Sequence, residues 1–173
     1  PGSDAFQFFW LWAPFNFERY AVFCHTNDDE AGKPWNRRAV IDHIGAARIE
    51  YEQPIFDLKY RAGSRRLQRA NIALGPDAAL NIEPTGAHFY MSGLGYTHPT
   101  WGHGRDHGAF ETAYDVIDTH AIDDNAPAQM HIQALARATL KNDGVQVGIG
   151  VLEQFLIGPH APSGFRAMLD GAP

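Results

Sequence analysis

The sequence predicts an all-β domain, an antiparallel barrel or sandwich of about nine or ten strands. Three observations lead to this prediction. Short runs alternate between apolar and polar residues, turns rich in glycine, proline and asparagine separate the runs, and no helix-period segment lies between them. The 173 residues suffice for one domain with a full hydrophobic core, so 1–173 is treated as a single domain.

The clearest strand lies in the run IFDLKYR, where Phe56, Leu58 and Tyr60 share one face. The run LQRANIAL at 67–74 has the same period. The residues AGS between these two runs predict a hairpin turn.

The run MHIQALARATL at 130–140 fits a strand or a helix, because its apolar residues recur at both periods. The turn residues Asn-Asp-Gly at 142–144 and the glycine-rich run after them favour a β-hairpin, so we predict a strand. One short helix is expected near the end of the chain, where Ser163 is placed to cap the run GFRAML.

Charge, hydropathy and cysteine content argue against several classes of protein. The net charge is −6 and the basic residues are scattered, so no nucleic-acid partner is expected. No apolar run approaches the roughly 20 residues of a membrane-spanning helix. The single cysteine, Cys24, cannot form an internal disulfide, and we expect a cytoplasmic protein.

The stretch FYMSGLGYTHPTWGHGRDHG at 89–108 is rich in glycine and histidine. His98, His103, His107 and Asp106 are ligand types for zinc or iron. On one strand, however, His103 and His107 would lie about 13 Å apart. The sequence also has no cysteine pair, no His-Glu-x-x-His motif and no complete dinucleotide loop. We therefore expect neither a metal nor a nucleotide cofactor.

The same stretch suits acid–base chemistry, because a histidine changes its charge near neutral pH and Tyr96 and Asp106 stand close by in sequence. Gly93 and Gly95 would let the backbone approach a ligand closely. The alternative is a glycine-rich strand end whose histidines hydrogen-bond the backbone.

The segment GLGYTHPTWG at 93–102 resembles the Gly-x-Gly-Tyr-x-Asp-His-Asn-Trp-Gly signature of the lipocalin-like proteins grouped with hydroxyneurosporene synthase (carotenoid 1,2-hydratase) and the AttH proteins. The wider pattern is similar to an actinobacterial-type branch of that group. The resemblance implies a calycin-type, lipocalin-like β-barrel with an apolar pocket. It also implies that this domain is the C-terminal half of a longer protein, preceded by an N-terminal partner barrel.

Within this signature, the family's Asp falls on His98, its His on Pro99 and its Asn on Thr100. The family's carboxylic acid is therefore missing at that place, and the imidazolium of His98 would have to donate the proton instead. The positions that match the signature are Gly93, Gly95, Tyr96, Trp101 and Gly102.

Glu153 and the four aliphatic residues of the preceding run VQVGIGV all have odd numbers, so they would share one face of an unbroken strand. If that apolar face points inward, Glu153 points inward too. Buried there, Glu153 would have a raised pKa and could act as an acid or base. A bulge at Gly148 or Gly150 would turn it outward instead. His131 is expected on the surface and His160 in a structural loop.

The sequence thus predicts a cofactor-independent acid–base enzyme, of hydratase, isomerase or cyclase type, that acts on an apolar isoprenoid-like or polycyclic small molecule. The alternative is a non-catalytic lipocalin-like module that binds an apolar ligand or a partner barrel. The expected catalytic residues are His98, Tyr96, Asp106, His103 and Glu153. The expected ligand-binding residues are Trp101, Tyr90, His88, His107, Gly93 and Gly95.

Overall fold

A computed structural model gives the structure of the chain. It describes residues 7–90, 100–101, 104–114, 116, 118, 120–123, 126, 130–142 and 144–173, without the side chains of 87, 89 and 90.

Within the described residues, nine strands form a single sheet in which every neighbouring pair is antiparallel. The order across the sheet is β4-β3-β2-β1-β9-β8-β7-β6-β5. The prediction of an all-β, antiparallel, barrel-like fold is confirmed. The strands are β1 (Phe8–Asn16), β2 (Tyr20–Asp28), β3 (Pro34–His43), β4 (Ile49–Tyr51), β5 (Ile55–Tyr60), β6 (Leu67–Ala73), β7 (Ala79–Tyr90), β8 (His131–Lys141) and β9 (Val145–Ile157).

The sheet curls into a half-barrel because one face of every long strand is apolar. On β5 the half-buried and buried positions are Phe56, Leu58 and Tyr60, as the alternation predicts. Side chains from opposite parts of the sheet meet across the curl, for example the Arg37 guanidinium of β3, 5.5 Å from the Phe56 ring centre. The inward side chains of the described strands form one continuous hydrophobic cluster.

The segment that fitted both periods, 130–140, is strand β8 after its first residue, as predicted. Its even-numbered residues are buried, and its register with β9 is continuous from His131 to Lys141. The predicted helix over GFRAML is wrong. A single turn of 3₁₀ helix, Ala161–Ser163, precedes that run instead and ends at Gly164, whose φ of 76° is left-handed.

Gly148 and Gly150 lie inward on β9 and let β1 approach closely. A Cβ at Gly148 would stand 2.7 Å from the Asn16 carbonyl oxygen, and one at Gly150 would overlap the Pro14 carbonyl oxygen. The glycines therefore mark close packing against β1 rather than a bulge between β8 and β9.

The odd-numbered face of β9 consequently points outward. Val145, Val147 and Ile149 are 68%, 56% and 70% exposed. The expectation that these residues form an inward apolar face is wrong, and of the two orientations that the sequence left open for Glu153 the structure has the outward one, without a bulge between β8 and β9. The inward positions belong to the even-numbered residues, because only glycine fits beside β1.

Buried polar side chains gather at one end of the half-barrel, where β2 and β9 end and β6 begins; we call this the polar end. They are Thr26, Asp28, Ser64, Arg65, Arg66, Gln154 and His160. At the same end, Arg61, Arg66 and His88 border a crevice of about 20 Å³, which is the size of one water molecule. The inward side chains of the described strands pack into a hydrophobic cluster, and a ligand pocket inside the barrel stays a prediction.

The C-terminal segment, 158–173, folds back over the polar end. Arg65, only 1% exposed, donates to backbone carbonyls of Gly158, Ala167 and Asp170 and to the Asp170 carboxylate, at 2.7–2.9 Å. Its guanidinium lies 4.1 Å from the Phe165 ring centre. The Phe165 carbonyl, which a helix over 164–169 would need for its own hydrogen bonds, accepts from the His160 backbone N–H instead. No helix in the described part of the chain is long and apolar enough to cross a membrane.

Candidate functional site

Much of the glycine- and histidine-rich stretch lies outside the described residues. This applies to Gly93, Gly95, Tyr96, His98 and His103, and the side chain of Tyr90 is also not described. The catalytic and ligand-binding roles predicted for these residues stay predictions.

The described part of that stretch is held by local contacts. The ring of Trp101 stacks on His107, with ring centres 4.2 Å apart, and His107 Nε2 lies 2.9 Å from the Thr100 carbonyl oxygen. Asp106 accepts a hydrogen bond from the Gly108 backbone N–H at 2.8 Å. These contacts order the loop, and they bring together two of the predicted ligand-binding residues, Trp101 and His107.

Glu153 lies on the outer face of β9 and forms an acid–base pair with His131 of β8. The Oε1 atom of Glu153 is 3.1 Å from His131 Nε2, and Gln133 Nε2 donates to Oε2 at 2.7 Å. Both side chains are largely shielded, with 13% of Glu153 and 18% of His131 exposed. Glu153 is one of the predicted catalytic residues, whereas its partner His131 is not, because His131 was expected on the surface.

The pKa of Glu153 is lowered although burial by itself would raise it. The hydrogen bonds from His131 and Gln133 and the charge of His131 outweigh the burial, and the Trp10 indole adds to the lowering. Glu153 is therefore a carboxylate at neutral pH, which makes it a proton acceptor. The His131 imidazole faces this carboxylate within proton-transfer distance.

Two lateral rows of outward side chains cross the sheet from β2 through β1 and β9 to β8. In the first row, directly opposite residues on successive strands are His25, Trp12, Glu153 and Gln133. The second row is Asn27, Trp10, Phe155 and His131. The acid–base pair therefore stands beside two tryptophans.

These tryptophans belong to a half-buried surface that we call the aromatic wall, formed by Phe8, Trp10, Trp12, Phe23 and His25. Trp12 meets Phe23 edge-on at 5.7 Å between ring centres, and Trp10 lies 6.4 Å from the His25 ring. At one edge, the C-terminal residues Met168 and Leu169 pack over the neighbouring Phe155 cluster.

The wall exists because β1 is apolar on both faces. Phe9, Leu11 and Phe15 point inward and are buried, whereas Trp10 and Trp12 point outward. These two tryptophans therefore lie outside the core. Trp35 is also outside the core, with 73% exposure.

Comparison with known proteins identifies the family. The model of a family of unknown function, DUF8625, matches residues 1–166. The chain belongs to this family. No curated protein sequence matches it.

Among solved structures, the DUF8625 chain is similar to kievitone hydratase from Nectria haematococca, with a TM-score of 0.51 and 10% sequence identity. The likeness covers 90% of this chain and 41% of the hydratase chain. The DUF8625 chain thus spans less than half the length of that enzyme. The likeness supports the lipocalin-like fold; the finer resemblance to hydroxyneurosporene synthase stays a prediction.

A second polar cluster of the DUF8625 fold lies at the polar end. Arg37 Nη2 donates to Asp28 Oδ2 at 2.8 Å, and His160 Nε2 stands 3.6 Å from the same oxygen. His160 Nδ1 is 2.7 Å from Ser163 Oγ, which lies 2.8 Å from the Tyr60 hydroxyl. Burial by itself raises the pKa of Asp28, but its partners His160, Thr26 and Arg37 lower it overall.

This cluster has the residue types of a Ser-His-Asp triad but lacks an oxyanion site in its own loop. The backbone N–H groups of Ser163, Gly164 and Phe165 all donate to carbonyls of the same loop. None of the three is available to stabilise a developing oxyanion. The cluster therefore serves to tie the C-terminal segment to β2 and β5.

Metal-ligating side chains form no group of three or more within the described residues. The predicted absence of a metal is not tested by this result, since His98 and His103 lie outside that part. Cys24 is fully buried, and burial raises the pKa of its thiol to about 12.

Proposed function

We propose that this protein is an acid–base enzyme of the hydratase type, which adds water to or removes it from an apolar isoprenoid-like or polycyclic small molecule in the cytoplasm. Glu153 and His131 are the proton-transfer pair. The observation that carries the proposal is their 3.1 Å contact beside the aromatic wall. The enzyme is proposed to need no metal or nucleotide cofactor.

In the dehydration direction, protonated His131 gives its proton to the leaving hydroxyl group, and the C–O bond breaks to release water. The Glu153 carboxylate then takes a proton from the adjacent carbon, and the electron pair of that C–H bond forms the alkene. The two residues are in contact, so the proton on Glu153 can return to His131 and restore the pair. Hydration is the reverse of these steps.

The aromatic wall supplies the binding surface that this chemistry requires. Indole and phenyl faces bind apolar and unsaturated carbon skeletons, and their negative faces stabilise a positive charge that develops as the C–O bond breaks. Trp12 lies directly opposite Glu153 in the register, which places such a face next to the base.

The predicted residues His98, Tyr96, Trp101 and His103 belong to the connection between β7 and β8. This connection leaves the sheet at Tyr90, which is paired with Ile132, and re-enters it at His131. Its two ends therefore stand beside the acid–base pair. We propose that His98 is a second proton donor and that Tyr96 and Trp101 orient the substrate.

The test is isotope exchange with labelled water. The full chain is incubated with terpenoid, steroid and prenylated phenolic alcohols, and mass spectrometry measures label in the recovered alcohol. Glu153→Gln and His131→Asn should each reduce exchange by about 10²-fold or more. The exposed residues Glu83 and His120 provide matched controls, Glu83→Gln and His120→Asn, which should retain the wild-type rate. Exchange unchanged in Glu153→Gln would remove Glu153 from the mechanism.

The variant His98→Ala tests the proposed second donor. If His98 donates a proton in addition to His131, exchange falls in His98→Ala while ligand affinity stays within a few-fold. Unchanged exchange in His98→Ala, with exchange lost in His131→Asn, would remove His98 from the mechanism.

A second candidate function is a non-catalytic module that packs against an N-terminal partner barrel in a longer protein. The exposed aliphatic residues Val145, Val147 and Ile149 favour it, because apolar patches on an outer sheet face commonly mark an interface. Tight binding of an apolar ligand with no isotope exchange by the longer parent protein would support this function over the enzyme.

A further inference from the structure

The outer face of β9 carries an exposed apolar surface with basic neighbours. We call it the aliphatic strip, and its residues are Val145, Val147 and Ile149. In the register with β8, Arg137 is directly opposite Ile149 and Lys141 is directly opposite Val145. Glu83 of β7 stands opposite Arg137 and offsets one of these two positive charges, so the surroundings of the strip keep a net positive charge.

The connection between β7 and β8 carries a second exposed apolar surface, of the opposite charge. Its large apolar side chains are Phe110, Tyr114 and Val116, which are 95%, 89% and 90% exposed. They belong to the described residues of 105–118, among which three are acidic and one is an arginine; we call this set the acidic segment. Local hydrogen bonds, such as that from the Gly108 backbone N–H to Asp106, order the segment while its apolar side chains face solvent.

We infer that two copies of this chain form a dimer in which the acidic segment of each copy packs on the aliphatic strip of the other. Exposed apolar groups of this size commonly mark an interface, and here they bury one another. The carboxylates of the segment face Arg137 and Lys141, so the two surfaces are also complementary in charge. The inference goes beyond the proposed acid–base function and uses none of its residues.

The direction of the strands fits this exchange. The acidic segment leaves and re-enters the sheet at Tyr90 and His131, whereas the strip lies toward the β8–β9 hairpin turn. Arg137 and Lys141, beside the two ends of the strip, lie roughly 20 and 33 Å along β8 from His131. A two-fold axis between the two outer faces, perpendicular to the strands, reverses the strand direction from one copy to the other. The acidic segment of one copy therefore lies over the hairpin end of the second copy, where the strip is.

The buried area is sufficient for a stable dimer. Two aromatic side chains bury roughly 300 to 500 Å². A two-fold interface contains every contact twice, so the aromatic side chains of both segments bury roughly 600 to 1,000 Å². The two covered strips raise the total above roughly 1,200 Å², the lower end of specific, stable interfaces.

Analytical ultracentrifugation of the full chain tests the dimer. Wild type should sediment with twice the mass of one chain. Phe110→Ser and Ile149→Lys should each raise the dimer dissociation constant about 100-fold or more, because a two-fold dimer loses the contact twice. Trp35 and Ile44 are similarly exposed elsewhere and provide matched controls, Trp35→Ser and Ile44→Lys, which should leave the constant unchanged. A monomeric wild type, or a dimer that withstands both Phe110→Ser and Ile149→Lys, would overturn the inference.

Cross-linking distinguishes exchange between copies from a segment that folds back on its own strip. Tyr114→Cys and Val147→Cys are made in separate chains, mixed and treated with a short bismaleimide; the native Cys24 is fully buried. The mixture should give a covalent dimer of the two variants, and each variant alone should give little product. A double variant, Tyr114→Cys/Val147→Cys, that yields only internally cross-linked monomer would refute exchange between copies.

Discussion

The carboxylate of Glu153 and the imidazole of His131 meet at 3.1 Å although they are not directly opposite in the sheet. Glu153 is opposite Gln133, and His131 is opposite Phe155, so the contact is diagonal across β8 and β9. Gln133 holds the second carboxylate oxygen at 2.7 Å. Both oxygens are thereby oriented, and the pair is presented beside the aromatic wall.

The pH dependence of turnover should follow the ionisation of Glu153. Its pKa is lowered in the folded protein, because the hydrogen bonds to the carboxylate outweigh the effect of burial. Activity that needs the carboxylate should therefore persist at pH values below the ordinary glutamate pKa. It should fall only as the pH drops through the lowered pKa of Glu153. A pH–rate profile measures this acid limb. An acid limb above the ordinary value would contradict an ionised Glu153.

Asp28→Asn should destabilise the fold at neutral pH by about 3 kcal/mol, because it breaks a shielded pair with Arg37. The folded-state pKa of Asp28 is lowered, so its stabilisation is fully present above the unfolded value, about 3.9, and is lost as the pH falls through the folded value. Urea unfolding should therefore show a smaller difference in the free energy of unfolding between wild type and variant at about pH 3 than at neutral pH. The exposed residue Asp42 provides the control Asp42→Asn, whose gap should be small at both pH values.

Arg65→Ala should lower the free energy of unfolding by about 3 to 5 kcal/mol, since it leaves the Asp170 carboxylate and several carbonyls without their donor. Arg65→Lys should recover only part of this loss, because an ammonium cannot reproduce the planar fork of the guanidinium. Denaturant titration measures both variants against Arg69→Ala, which changes an exposed arginine on β6. Equal stability of Arg65→Ala and Arg69→Ala would disprove the role of Arg65 as a clamp.

Gly150→Ala should destabilise the protein by about 1 to 3 kcal/mol or more through overpacking. The added methyl group would overlap the Pro14 carbonyl oxygen and stand 2.7 Å from the Phe15 ring, so β1 and β9 would have to separate. Thermal unfolding measures the loss. The control is Gly45→Asn, at a turn with open space and a φ of 78° that asparagine tolerates. A normal melting temperature for Gly150→Ala would contradict the close approach.

Cys24 should resist alkylation in the native protein. Burial raises the pKa of its thiol to about 12, so the thiolate is scarce at mildly alkaline pH and the sulfur is also shielded. Mass spectrometry after iodoacetamide treatment should find labelling only in urea. Rapid labelling without denaturant would show that the core near Cys24 opens.

Alternation predicted the fold where only one face of a strand is apolar. Phe56, Leu58 and Tyr60 on β5 are such a case, and so are the buried even-numbered residues of β8. Alternation predicted the wrong inward face for β9, where the outward residues are aliphatic and the inward ones include glycine. Hydrophobicity alone points to the wrong face there, because the decisive factor is the space left by β1.

The contact between Glu153 and His131 could have been predicted from the sequence. The hairpin turn after Lys141 places this residue opposite Val145, and counting back along both strands places Gln133 opposite Glu153. His131 is then a diagonal neighbour of Glu153. The aromatic wall was not predictable in this way, since the register between β1 and β9 joins segments far apart in the chain.

The most direct test of the central claim is a crystal structure of the protein soaked with β-naphthol. We predict electron density for the naphthol ring on the outer face of β1 and β2, over Trp12 and Phe23. Density at the polar end beside His88 and Arg66 instead, with the wall unoccupied, would contradict the account.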